Sequence, residues 1–239
     1  MPQTLVYLPG LDGTGRLLHR QPRLFDCFDV HCVAYPQDQT STYQSLAAFA
    51  VGEIERAGNG PAIVLAESFG GGVALTLALR RLDLVAKLVL INTFAYYPRC
   101  AIIHLAADLS VFLPAMPTPA WTRGLRGTFF FTQEITETER NEWWSRVDDV
   151  PMSVLGHRVR MMRELDLRSR LADIQTPTIV MAAANDRLVP SSAGHLLARR
   201  MPNAQLIQMP VNHAALIHPQ VDVAIWLMNN RTRRQSCVK

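Results

Sequence analysis

The stretch Ile63-Val64-Leu65-Ala66-Glu67-Ser68-Phe69-Gly70-Gly71-Gly72 constrains this chain more than any other. An apolar run reads as a buried strand, three glycines open what reads as a helix, and one serine stands at the junction. A strand that passes directly into a helix turns sharply. The two backbones then run so close that only small residues fit on either side of the apex. The spacing is that of a nucleophile elbow, small-x-Ser-x-small, which lifts the serine clear of the turn. Ala66 stands where the pattern usually has its first glycine and adds one methyl group. A Gly-rich turn that merely packs tightly would read the same way, so the reading depends on a base, an acid and oxyanion donors elsewhere.

The flanking chain alternates between strand and helix. Thr4–Leu8 is a short apolar run closed by Pro9-Gly10, and Val30–Ala34 predicts the next strand. Ser41-Thr-Tyr-Gln44 fits a capping box, behind which Leu46, Phe49, Ala50 and Ile54 keep helical spacing. Gly58–Pro61 ends that helix and leads into the elbow strand; a helix over 69–81 and a strand over Lys87–Ile91 follow. Further on, Thr178–Ala182, a helix over 192–201, Ala204–Gln208 and a last helix resume the rhythm. Val221, Ala224, Ile225 and Met228 form that last helix's expected apolar face, with Pro219 in its first turn. Near-continuous apolar strands separated by helices predict an α/β fold with a mostly parallel, doubly wound sheet.

Residues 94–170 break this pattern. No strand is evident, and the segment carries Phe94, Phe112, Phe129, Phe130, Phe131, Trp121, Trp143 and Trp144, most of the chain's Phe and Trp. It reads as a helical cap with an apolar underside, inserted into a core formed by 1–93 and 171–230, with 231–239 as a basic tail. Ordinary helix packing accounts for most of these aromatics, but a cap over a sheet leaves a pocket between them. Gly10, Asp12, Phe94, Phe130 and Trp144 are its expected walls.

Composition narrows the function. The net charge of +4 is matched by Arg231, Arg233, Arg234 and Lys239 at the end of the chain. The body is therefore near neutral, and a nucleic-acid partner is not expected. Cys27, Cys32, Cys100 and Cys237 form no C-x-x-C pair or metal-ligand spacing, and read as free, mostly buried thiols with no metal and no cofactor. No apolar run reaches the roughly 20 residues that span a bilayer, and the first strand begins too early for a signal peptide. A soluble, cytoplasmic chain acting on a small molecule is the expectation.

Serine needs a base to take its proton and an acid to orient that base. Ser68, Asp186 and His213 occur in that order, each just past the C-terminal end of a predicted strand, where open α/β sheets place their sites. Asp186 could simply cap a turn and His213 could be a surface-loop histidine. The nearest rival, His218, is explained by capping the last helix; His104, His157 and His195 fall on cap or helix positions, and Asp166 and Asp173 precede their strand. The loop Pro9-Gly10-Leu11-Asp12-Gly13-Thr14-Gly15 lacks the Lys-Ser/Thr of a phosphate-binding loop and instead offers backbone N–H groups suited to an oxyanion.

With Leu-Pro-Gly-Leu-Asp-Gly-Thr-Gly at residues 8–15 and Ala-Glu-Ser-Phe-Gly-Gly at 66–71, the chain resembles α/β-hydrolase fold enzymes over about residues 4–228. It is similar to the hydrolase-like part of phytyl-ester and diacylglycerol acyltransferases, and to small esterases of the pimeloyl-ACP methyl ester type. The resemblance implies that the N–H groups of Leu11 and Phe69 form the oxyanion hole. Two features depart from it: Asn212 replaces the usual glycine before the histidine, and no His-x-x-x-x-Asp motif is present. The implied activity is a serine esterase for apolar acyl or alcohol groups, with the Phe69 ring as a further candidate for the acyl pocket. Acyl transfer to an alcohol, or a hydrolase-like ligand-binding protein, are the alternatives; a dehalogenase would need a carboxylate where Ser68 stands.

Overall fold

The computed structural model describes residues 2–58, 60–97, 105, 107–109, 120–131 and 134–232. Cys100, His104, Phe112, Arg233, Arg234, Cys237 and Lys239, and the side chains of Phe129 and Arg231, lie outside the described residues. Six strands, β1 (Thr4–Leu8), β2 (Asp29–Cys32), β3 (Ala62–Glu67), β4 (Val85–Ile91), β5 (Thr178–Ala183) and β6 (Ala204–Met209), form one sheet in the order β2-β1-β3-β4-β5-β6. Every neighbouring pair is parallel.

Helices cover both faces. Val6, Leu8, Val64, Ala66, Leu88 and Leu90 point into one core, closed by α2 (Tyr43–Ala57), α3 (Phe69–Arg80) and α7 (Ser191–Arg200). Leu5, Tyr7, Ile63, Leu65, Val89 and Ile91 point into the other, beneath α1 (Pro22–Cys27) and α8 (Val223–Thr232). Burial on both faces is why these strands read as continuous apolar runs instead of alternating ones.

Between β4 and β5 lie α4 (Arg123–Phe130), α5 (Glu137–Val147) and α6 (Met152–Glu164). Phe131, Ile135, Trp143, Trp144 and Val147 make a third apolar cluster, joined to Leu17, Ala214 and Ile217 of the loops at the sheet's C-terminal edge. This segment thus shares a core with the loops that carry His213.

Several local expectations are corrected. The capping box of α2 is Thr42 with Ser45, because the Ser41 amide and hydroxyl are both held by Asp38. α8 starts at Val223, whose amide is bound by Gln21, so Pro219 lies in the preceding turn. That phase buries Val223, Ala224 and Leu227 and leaves Ile225 and Met228 at 38% exposure. His218 does not cap the last helix; its Nε2 meets the Glu134 carboxylate at 2.7 Å. Of the cysteines, Cys32 is exposed and Cys27 half-buried, because β2 is the edge strand and leaves Cys32 on the surface.

Candidate active site

Ser68 sits between β3 and α3 with φ 50° and ψ −119°. A non-glycine residue rarely adopts positive φ, and such strain persists only where its surroundings enforce it. Here the Ser68 amide donates to the Ile91 carbonyl (2.9 Å), and its carbonyl accepts from the Gly71 amide (3.0 Å) and the Thr93 hydroxyl (2.5 Å). A Cβ on Gly71 would collide with the Thr93 side chain, and one on Gly72 with Tyr43 and Leu165. The glycines therefore let α3 pack close enough to hold the apex.

Ser68 Oγ lies 3.0 Å from His213 Nε2, and His213 Nδ1 lies 2.7 Å from Asp186 Oδ2. The other Asp186 oxygen accepts the amides of Leu188 (2.8 Å) and Val189 (2.9 Å), which fixes the carboxylate. Since a carboxylate only accepts, the His213 proton sits on Nδ1 and Nε2 presents a lone pair to the serine hydroxyl. Burial pulls the His213 pKa down, but the Asp186 carboxylate, helped by Glu67, outweighs it and holds the imidazole above its ordinary value of 6.5.

Asn92, with φ 47° at the end of β4, belongs to no motif that marks it in the sequence. Its amide donates to the carbonyls of His213 (2.8 Å) and Asn212 (3.3 Å) and accepts from the Ala183 amide (2.8 Å), tying the histidine loop to β5. Asn212 donates to the Phe131 carbonyl at 2.7 Å, so the residue in the usual glycine position anchors the loop to the segment beyond β4.

The loop after β1 turns through a Gly13 amide to Gly10 carbonyl bond of 3.1 Å. Asp12 Oδ2 holds the amide (2.8 Å) and hydroxyl (2.6 Å) of Thr14. Arg158 of α6, 2% exposed, reaches over and donates to the carbonyls of Leu11 (2.9 Å), Asp12 (2.6 Å) and Pro36 (3.0 Å). Gly13, at φ 67°, has to be glycine: a Cβ there would fall 2.6 Å from the Arg158 guanidinium carbon. The Leu11 N–H donates to no acceptor among the described residues, and the Phe69 N–H opens α3, where the first turn has no acceptor within the helix.

A cavity of about 130 Å³ lies over Ser68 and His213. Gly10, Leu11 and Asp12 of the loop after β1 line it together with Phe130, Trp143 and Leu155. Phe94 and Trp144 do not border it. Phe94 is fully buried against Tyr97 in the sheet core, and Trp144, one residue around α5 from Trp143, lies under the Arg126 guanidinium. The Phe69 ring is also buried away from it, stacked on Tyr43 with centroids 4.9 Å apart. Among the described residues there is no His/Cys/Asp/Glu group that could hold a metal ion, and no helix long and apolar enough to cross a membrane.

The profile of the alpha/beta hydrolase family matches residues 5–225. Among curated proteins, one provisionally named carbamate hydrolase RutD, of Azorhizobium caulinodans, is 27% identical over 65% of this chain and 60% of its own length. A pimeloyl-[acyl-carrier protein] methyl ester esterase of Aromatoleum aromaticum is 30% identical, covering 70% of this chain and 72% of that protein. Among solved structures, an esterase of Exiguobacterium antarcticum superposes with a TM-score of 0.84 at 17% identity, over 96% of this chain and 92% of that one.

Proposed function

The chain belongs to the alpha/beta hydrolase family, and from that premise we propose that it is a serine esterase working through Ser68, His213 and Asp186. The observation that carries this reading is the continuous relay Ser68 Oγ–His213–Asp186, at 3.0 and 2.7 Å, ending on a strained apex residue. We take residues 94–170 as a cap over the hydrolase core.

In the first step His213 Nε2 takes the Ser68 proton while Oγ attacks the ester carbonyl. The Leu11 and Phe69 N–H groups hold the resulting oxyanion, aided by the positive end of α3. Collapse breaks the bond to the alcohol, which leaves with the proton from His213. A water molecule then gives a proton to His213 and attacks the acyl-enzyme; collapse releases the acid and returns Ser68 to its hydroxyl form. No cofactor is required.

The cavity's walls are apolar apart from the loop after β1, Glu67, Arg126, and Ser68 and His213 themselves. At about 130 Å³ it is close to the roughly 150 Å³ that accommodates benzene in an engineered core, which favours short acyl groups. A panel of p-nitrophenyl esters with Ser68→Ala as control tests this. Turnover should be higher for short chains than for long ones, and Ser68→Ala should abolish it. Full activity in Ser68→Ala would refute the nucleophile. Adding a short alcohol to the same assay reads whether the acyl-enzyme passes to alcohol instead of water.

The base must be neutral to accept the proton, so kcat/KM should fall as pH drops through the His213 pKa, with a midpoint above 6.5. Removing the charge in Asp186→Asn should move whatever activity remains to a lower midpoint. A pH–rate profile of both proteins checks the sign.

Arg158 is expected to act on the rate through the loop it clamps. Arg158→Met leaves the Leu11 and Asp12 carbonyls without their donor, and should lower kcat by about 10- to 100-fold with a smaller effect on KM. Arg158→Lys should recover part of the loss. Steady-state kinetics on the preferred p-nitrophenyl ester measures both.

A further inference from the structure

Glu67 handles no proton and touches no reacting atom in that mechanism beyond helping to hold the His213 pKa up, yet it immediately precedes the nucleophile, is 6% exposed, and borders the same cavity as Ser68 and His213. Its hydrogen bond comes from the Tyr7 hydroxyl, 2.8 Å from Oε2. Among the described residues no Lys, Arg or His forms an ion pair with it. Burial pushes its carboxyl up to about 7, against the opposing pull of the Tyr7 bond and His213.

A carboxyl buried without a cation is costly to fold, so holding Tyr7 is a poor reason for one. An amide in the same place would accept the same bond at lower cost. Asp12, the other carboxylate on the cavity, holds the Thr14 amide and hydroxyl through Oδ2 within its own turn, so its Oδ1 is the competing acceptor, which substitutions of Glu67 leave in place. Glu67 thus brings a carboxyl, with Oε1 not engaged by the described residues, to the border of a cavity that Leu17, Arg126, Phe130, Trp143 and Leu155 also line. A hydroxyl or N–H group on a substrate seated against those apolar walls loses its hydrogen bonds to water and needs an acceptor in exchange.

We propose that Glu67 is a specificity residue of this site, accepting a hydrogen bond from a donor carried on the acyl carbon next to the scissile carbonyl. The substrate class is then short acyl esters bearing a 2-hydroxyl or 2-amino function, in preference to plain fatty acyl esters of the same size. The inference rests on the esterase reading above and refines it.

Ethyl lactate and ethyl propionate, which differ by one hydroxyl, test it when acid release is followed at constant pH. The quantity read is the ratio of kcat/KM for lactate to that for propionate, compared between proteins so that the esters' intrinsic reactivities cancel. Glu67→Gln keeps the shape and the Tyr7 bond but turns an NH2 toward the cavity, replacing an acceptor with a donor. The ratio should fall at least tenfold in this variant, the scale of one hydrogen bond, and by a similar factor in Glu67→Leu. A general loss of structure would lower both esters together and leave the ratio in place.

A ratio that stays within twofold of wild type in both variants overturns the proposal, as does a wild type that hydrolyses propionate but not lactate. A p-nitrophenyl acetate assay of wild type and Ser68→Ala runs alongside. If acetate is turned over only with Ser68 present and the ratio is flat, Glu67 alone has been misread. If no ester is turned over, or Ser68→Ala matches wild type, the esterase reading fails and takes this one with it.

Discussion

Replacing Ser68 with alanine is expected to lower ester turnover by roughly 10⁴-fold or more while leaving the fold intact. The substitution removes one atom, Oγ, whose hydrogen bond in the structure is to His213. The apex is held by backbone contacts instead, from the Ser68 amide to Ile91 and from Gly71 and Thr93 to the Ser68 carbonyl, and all of these survive. Asp186→Asn should cost about as much in rate, roughly 10⁴-fold, for a different reason. An asparagine amide donating to Nδ1 would place the imidazole proton on Nε2, where it blocks the base. Circular dichroism and a melting curve should separate both variants from unfolded protein. A folded Ser68→Ala protein with more than a small fraction of wild-type kcat would sink the assignment.

Gly70→Ala should have a large effect on stability. A Cβ at this position would lie 2.5 Å from the Leu8 carbonyl oxygen and would collide with that of Pro9 as well. Both are backbone atoms at the end of β1, where the strand enters the loop of Leu11, so no side-chain rotation relieves the clash. Either α3 moves away from the sheet or the loop is displaced. Overpacking of this kind costs about 3 kcal/mol or more, which for a chain of this size is a fall of roughly 10 °C in Tm. Gly10→Ala is the contrast: its Cβ would meet Asp12 Oδ1 at 3.5 Å and Ser68 Cβ at 3.7 Å, ordinary contacts. That variant should fold normally and lose activity through the methyl group it pushes over Ser68. Equal melting temperatures for Gly70→Ala and wild type would show that the elbow does not require this close approach.

The sheet was legible because its signals are local. Apolar runs such as Ile63–Leu65 and Val89–Ile91 are continuous only when both faces are covered, and that condition alone sets the parallel, doubly wound class. The meeting of Ser68, Asp186 and His213 was legible for a related reason, since parallel strands bring their C-terminal ends to one edge. Hidden features depended on partners distant in sequence. Nothing near Arg158 signals that its guanidinium serves the carbonyls of Leu11 and Asp12, nearly 150 residues away. Choosing Trp144 over Trp143 as a pocket wall was a matter of helical phase, which adjacent aromatics leave undetermined. The α2 capping box slipped by one residue because Ser41 had a better partner in Asp38 than in the helix.

The most direct test of the central claim is to trap the nucleophile. The protein is treated with a fluorophosphonate, and the intact mass and the peptide containing residues 63–72 are measured. A single adduct on Ser68 is expected, absent in Ser68→Ala and formed far more slowly in His213→Gln. An adduct on any other residue, or esterase turnover that persists with Ser68 unlabelled, would contradict the account.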